Sequence, residues 1–276
     1  MPKDNSRRLF ADLIQQASTY YGNWTPNQTV EVGDYGILNR ETAEFEKEGS
    51  IYDEDFRPDL AIHDQYPVEK TEPDDQYIVV SRGGKVQSFD AKFGAEYPGI
   101  VQSTIKGRWQ FGRGRGAVVV LHKPMELVIK NRSKLLPHLT EALQGKALVE
   151  SVYKCPMYAL VLTQKSDMGS DVAVGLDIAK VGGATLKGHW NYYTSSGVWR
   201  SGGEDGGATY YPLYTLRTPK PPNFLARLLG HRGPGEPLEM PEGEDGFETY
   251  QPPWNVLNDE GEEYTPSDEG EASDDE

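Results

Sequence analysis

Three features of the 276-residue chain predict an α+β fold, a twisted antiparallel β-sheet with flanking helices. Residues 76–217 hold short runs of β-branched, aliphatic and aromatic residues separated by glycine- and proline-rich turns, the texture of successive antiparallel strands. Helical periodicity is confined to residues 5–21 and 133–150. After Arg217 the chain turns proline-rich and then acidic. It ends in NDEGEEYTPSDEGEASDDE, which is too polar to bury a core and is expected to be partly disordered. The expected division is a body over 1–217 and a proline-rich linker with an acidic tail over 218–276.

The first element is a helix over 5–21. Leu9, Phe10, Leu13, Ile14 and Ala17 share one face, with Asn5 or Ser6 as N-cap. Arg7 and Arg8 fall in its first turn, where the helix dipole disfavours positive charge by roughly a few tenths of a kcal/mol. Such a start suits an anionic surface or an ordinary packed helix. Residues 22–75 are acidic and turn-rich, with short strands expected near 36–38 and 49–52. Strands follow at 77–81, 86–93, 100–111 and 117–122. A helical segment over 133–150, interrupted at Pro137 and Gly145, comes next. Further strands are expected at 158–163, 171–180, 184–191, 197–200 and 208–217.

Charge sharpens the class. Lys+Arg is 28 against 43 Asp+Glu, a net −15 that argues against nucleic acid and, at first sight, against an anionic membrane. Residues 231–276, however, hold one basic residue, Arg232, and 16 acidic ones, so they alone carry −15. Residues 1–100 carry −9 and residues 101–230 carry +9. A lone cysteine, Cys155, excludes an intramolecular disulfide and suits a reducing compartment. No apolar run fits a secretory signal or a membrane-spanning helix, so a cytoplasmic protein is expected.

Two regions are amphipathic over about ten residues, the length of a tilted membrane-spanning strand. In 171–180, Val172, Val174, Leu176 and Ile178 share a face opposite Asp171, Ala173, Gly175, Asp177 and Ala179. In 101–111, Val101, Ser103, Ile105, Gly107, Trp109 and Phe111 alternate with polar and basic residues. In 184–190, Leu186, Gly188 and Trp190 do the same. Half-exposed strands of a soluble sheet alternate in this way too, so both readings stand. Lys106, Arg108, Arg113, Arg115, Lys123, Lys130, Arg132 and Lys134 gather where the first region ends. They form either a solvated face or a lipid-binding one, each charge near an anionic leaflet contributing about 1 kcal/mol.

Catalytic constellations do not assemble. The GRGRG run at 112–116 lacks the full dinucleotide spacing and precedes a strand, so it reads as a hairpin turn. The histidines at 63, 122, 138, 189 and 231 show no metal-ligand spacing, and no G-x-S-x-G occurs. Lys154 is positioned in sequence to lower the Cys155 pKa, but a lone cysteine before an apolar strand is usually structural. Neither an enzyme, a cofactor nor a metal site is expected.

The string Leu160-Val161-Leu162-Thr163-Gln164-Lys165, leading from a strand into a long amphipathic hairpin, resembles the pore-forming domain of the gasdermin family. The stretches Val32–Gly36 and Glu48–Tyr52 resemble gasdermin-like proteins of filamentous fungi. The order of helix, turn-rich region, hairpin region 85–111, helical segment and hairpin region 171–191 agrees. The resemblance implies a latent pore-former. A protease removes an inhibitory C-terminal part, and the body then binds acidic phospholipid, inserts two β-hairpins and assembles into a large ring. Monomer or dimer when latent, it acts at the plasma membrane or another cell membrane when active, in regulated, lytic cell death. The chain departs from animal gasdermins in having a short tail.

On that reading, Arg7, Arg8, Leu9, Phe10 and Leu13 with the basic cluster dock lipid. Val101, Ile105, Trp109, Val172, Val174, Leu176, Ile178, Leu186 and Trp190 face the bilayer, and an aspartate at Leu176 should abolish leakage without unfolding. Scission is expected within 218–250, with Phe224, Leu229 and Phe247 as candidate P1 residues. Tyr250, Trp254 and Leu257 would pin the tail. The competing reading is a soluble β-rich binding module with an acidic interaction tail.

Overall fold

Every strand pairing of the chain's named strands is antiparallel, in a computed structural model that describes residues 5–166, 168–181, 185–203, 207–221 and 245–264, with side chains described outside 180–186. The order begins α1 (Ser6–Ser18), β1 (Tyr21–Gly22), β2 (Asp34–Leu38), β3 (Phe45–Ser50), α2 (Ile62–Gln65) and β4 (Val68–Lys70). It continues β5 (Gln76–Val80), β6 (Lys85–Val86), α3 (Ala91–Glu96), α4 (Pro98–Gln102), β7 (Ile105–Phe111), β8 (Ala117–His122) and β9 (Met125–Ile129). Then come α5 (Arg132–Leu139), β10 (Ala147–Cys155), β11 (Met157–Thr163), β12 (Ser170–Val181), β13 (Thr185–Thr194), β14 (Gly197–Gly202), β15 (Tyr210–Pro219) and β16 (Phe247–Thr249).

Among the described residues these form three sheets. A central four-stranded sheet runs β14-β11-β8-β5, and an outer one runs β13-β12-β7-β6. The eight-stranded sheet follows β1-β15-β10-β2-β3, with β16 on β15 and β9 and β4 beyond β10. Every residue of β8 (AVVVLH) and β11 (MYALVLT) is buried, which is why both read as unbroken apolar runs. Val119, Leu121, Leu160 and Leu162 pack under Leu9, Phe10 and Ile14 of α1. The alternate residues Val118, Val120, Ala159 and Val161 pack against Ile105, Trp109, Val172, Val174, Leu176 and Trp190 of the outer sheet. The layers are therefore α1, central sheet, outer sheet, and then α3 and α4 on the far side.

Three expectations need correction. Residues 87–93 and 100–104 are not strand; only Lys85–Val86 pairs, with β7. Phe89, Phe93, Tyr97 and Val101 recur at helical spacing, and all pack in one cluster beneath α3 and α4. Asp90 caps α3 by accepting the Phe93 N–H at 2.8 Å, and Pro98 opens α4. Val101 is thus a half-buried helical residue. The segment 133–150 is helical only to Leu139, two residues past Pro137, whose missing N–H weakens the last turn; from Ala147 it is β10. Finally, 217 is not a boundary. β15 runs to Pro219, and β16, in the presumed tail, pairs with it through Arg217↔Thr249, Thr218↔Glu248 and Pro219↔Phe247.

Leu176 is completely buried between the two stacked sheets, so an aspartate there does not leave the latent fold intact. Leu176→Ala is expected to lower stability by about 3 kcal/mol. Leu176→Asp, which strands a carboxyl group without a partner, is expected to cost about 4 kcal/mol or more. Urea midpoints check both; equal midpoints for the aspartate variant and wild type would show that this face is not core.

Candidate functional site

Residues 245–264 lie as a strap across the body, and the side chains they meet define the candidate site. At its start the Asp245 carboxylate accepts from Arg217 Nη2 at 2.9 and 3.0 Å. Arg217 also donates to the Phe247 carbonyl at 2.8 Å. Phe247 is 2% exposed and sits in the core of the large sheet. The Tyr250 N–H donates to the Leu216 carbonyl, and Tyr21 Oη donates to the Tyr250 carbonyl at 2.8 Å. Trp254 is buried, its Nε1 donating to Asp12 Oδ1 of α1 at 3.1 Å. Leu257 rests half-buried against the cores of both the large and the central sheet.

Residues 258–263 form a compact acidic turn over the start of α1. Asn258 organises it. Its Oδ1 accepts the Glu260 and Glu262 N–H groups at 3.0 and 2.9 Å, and its carbonyl accepts the Gly261 N–H. Gly261 has φ +75°, and a Cβ there would stand 2.7 Å from Asn5 Cβ, so only glycine passes so close to the helix start. Glu263 is the focus. Arg40 grips it with a two-pronged fork, Nε to Oε1 at 3.1 Å and Nη2 to Oε2 at 2.6 Å. Arg8 Nη1 approaches Oε1 at 3.3 Å, and Arg8 Nη2 donates to the Gly261 carbonyl. Lys165 donates to Glu260 at 2.9 Å and lies 3.9 Å from Asp259. The hydrogen bond from Lys165 holds the Glu260 carboxyl below its ordinary value. The bond from Arg40 does the same for Glu263. Burial, in contrast, pushes Asp12 up, opposed by its bonds from Trp254 and Gln16.

This arrangement resolves the unfavourable basic start of α1. Arg7 pairs with Glu44 and Arg8 with Glu263, so carboxylates from elsewhere in the chain supply the negative charge that the helix N-terminus attracts. It also corrects the expected lipid-docking residues for this state. Arg8, Leu9 and Phe10 are buried, Leu13 is half-buried, and Arg7 is paired.

The basic cluster does not gather on one face. β8 carries the chain roughly 20 Å between its two halves. Arg108 is enclosed by Asp90, Asp171 and the Phe93 ring, and Lys106 donates to the Val101 carbonyl. Arg113 is exposed and Arg115 half-buried at the first turn. At the far end Lys123 pairs with Asp75, Lys130 with Glu69, and Arg132 with Glu150; Lys134 is exposed.

Of the residues expected to face lipid, Ile105, Trp109, Val172, Val174, Leu176 and Trp190 are core, and Ile178 is half-buried against it. Leu186 sits opposite Lys180 in the β12–β13 ladder, with its side chain outside the described residues. Phe247 is withdrawn as a scission point because it is buried within a strand. Phe224 and Leu229 lie outside the described residues. Tyr250, Trp254 and Leu257 do contact the body. Sequence reasoning gave no role to Asp12, Arg40, Arg217 or Glu263, because the pairs Asp12–Trp254, Arg40–Glu263 and Arg217–Asp245 join residues at least 28 positions apart.

Cys155 is buried, which pushes its thiol well above the ordinary value. Lys154 turns away, toward Glu31 and the Tyr211 ring, so it does not activate the thiol. Among the described residues no group of three His, Cys, Asp or Glu side chains is placed to hold a metal ion, and no helix is long and apolar enough to cross a membrane. No known family model and no curated protein matches the chain.

The acidic turn has a defined pH dependence. The depressed values of Glu260 and Glu263 give a stabilisation that is present above pH 4.5, their ordinary value, and lost as pH falls through their folded values. Asp12, raised above 3.8, works in the opposite direction and favours the fold as it protonates. Exchange protection of the Gly261, Glu262 and Tyr264 amides should hold from about pH 8 to about pH 5 and fall below that. Protection that instead rises on acidification would assign control of the turn to Asp12.

Proposed function

We propose that the chain is a latent, gasdermin-like pore-forming protein, held inactive by the strap and activated by scission between residues 221 and 245. The observation that carries this reading is the strap itself. Within residues 245–264, three of the carboxylates are engaged by the body, as those of a free interaction tail would not be. Asp245, Glu260 and Glu263 are turned onto Arg217, Lys165, Arg8 and Arg40, and Phe247 and Trp254 are buried in the body. This favours a latch over a binding module.

The proposed membrane face supports the same reading. β12 and β13 pair over ten consecutive positions, from Val172↔Thr194 to Val181↔Thr185, long enough for a tilted span. The apolar residues of β12 and β7 pack on the central sheet in the latent fold. Exchanging that apolar contact for lipid keeps them out of water in either state. The outer sheet would part from the central sheet, and the freed body would bind acidic phospholipid and assemble with further copies into a ring. The strap opposes this by adding negative charge beside α1, where an anionic leaflet would dock.

The test is a full-length chain carrying a specific protease sequence within the 222–244 link. After cleavage, displacement of 245–276 in mild urea and return of the body to buffer, it should release dye from vesicles of acidic lipid, at least about tenfold faster than the uncut chain. Equal, negligible release by both, with the cut body still folded, overturns the proposal.

A further inference from the structure

The strap is held by different physics at its two ends. Residues 245–254 are secured mainly by the β16 ladder and by buried Phe247 and Trp254, contacts that salt weakens little, and the Arg217–Asp245 pair beside them is largely enclosed, both side chains 21% exposed. Residues 258–263 are held by carboxylates on cations. Two of these cations reach solvent, the Arg40 side chain being 57% exposed and Lys165 50%. Ion pairs of that kind are open to screening and competition.

We propose that Arg8, Arg40 and Lys165 form a binding site for a polyphosphorylated anion, which Asp259, Glu260 and Glu263 occupy as an internal competitor. The inference deepens the reading of the strap as a latch and rests on it. Three observations carry it. The planar fork that Arg40 presents to Glu263 matches phosphate as well as carboxylate. Arg8 is 8% exposed, and its Nε, although buried, has no hydrogen-bond partner among the described residues, so the site keeps unused donor capacity. The glycine-rich turn adds space: Gly114, at φ +98°, would place a Cβ 3.1 Å from the Asp259 carboxylate, so its bare backbone lets an anion approach closely. The Gly114↔Ser166 bridge draws this turn to the residue beside Lys165.

Several carboxylates within five residues thus stand where the phosphates of one polyanion would bind. Such a ligand opens residues 258–264 in the uncut chain and leaves 245–254 in place. The source of the phosphates can be a soluble polyanion or a lipid headgroup.

The experiment uses the full chain and titrates inorganic tripolyphosphate calorimetrically at low salt, with hydrogen exchange read in parallel. Tripolyphosphate should bind and deprotect the Gly261, Glu262 and Tyr264 amides while protection of 247–249 persists. Glu263→Gln should tighten binding about tenfold by weakening the competitor, and the double variant Arg40→Gln/Lys165→Gln should weaken it about tenfold. Both changes are at partly or well exposed side chains, and thermal melts confirm folding. Vesicles bearing a polyphosphorylated headgroup, set against phosphatidylserine vesicles, separate the sources: selective sedimentation with the former assigns the lipid, and binding of tripolyphosphate alone assigns the soluble anion. Absence of tripolyphosphate binding, or binding that neither variant alters, overturns the inference. Dye release plays no part in this readout. A chain that binds polyphosphate yet never permeabilises vesicles after cleavage refutes the pore-forming reading alone, and the converse result refutes only this site.

Discussion

The structure depends on two strands that have no solvent face. Because β8 and β11 are buried along their whole length, each face of the central sheet must be covered by something that is itself amphipathic. α1 covers one face, and the outer sheet the other. Burying a Val or Leu side chain contributes about 1.5–3 kcal/mol, so the packing of these two strands sets where α1 and the outer sheet can sit. The rest of the molecule is arranged around that demand. α1 is fixed, so its basic first turn is fixed, and the strap has a stationary surface to close upon.

Much of this architecture is legible in the residues. Runs such as AVVVLH and MYALVLT announce buried strands, and alternation in 171–180 marks the face that meets the core. The failures have physical causes. Around residues 87–101 the aromatic residues satisfy a helical spacing as well as a strand one, and the Asp90 cap and the helix-opening Pro98 decide between them. The strap could not be placed in advance because its acids look like any solvated tail. Their partners at Arg8, Arg40 and Arg217 are recognisable only after folding has brought distant segments together. Alternation marked the right apolar face but not its environment: core and lipid make the same demand of Val174 and Leu176.

The distribution of charge acquires a structural meaning. Within residues 245–264, Asp245, Asp259, Glu260 and Glu263 meet specific cations, three of which (Arg8, Arg40 and Lys165) converge beside the start of α1 from separate parts of the chain. Several cations of the region richest in positive charge are paired instead with Asp75 and Glu69 of the acidic first hundred residues and with Glu150. Net charge by segment identified an attraction; pairing geometry divides it between Lys165 and Arg217 of the +9 middle and Arg8 and Arg40 outside it.

Gly175 carries a consequence for how this sequence can drift. On the side of β12 away from the central sheet, a Cβ at 175 would stand 2.4 Å from Ser103 Oγ and 3.0 Å from Ile100 Cα. The strand is therefore intolerant of any side chain at this point on the face that α4 covers. Substitution would displace α4 without touching the main core, so the molecule has a position at which variation reaches the helical cover of the outer sheet separately from the sheet itself.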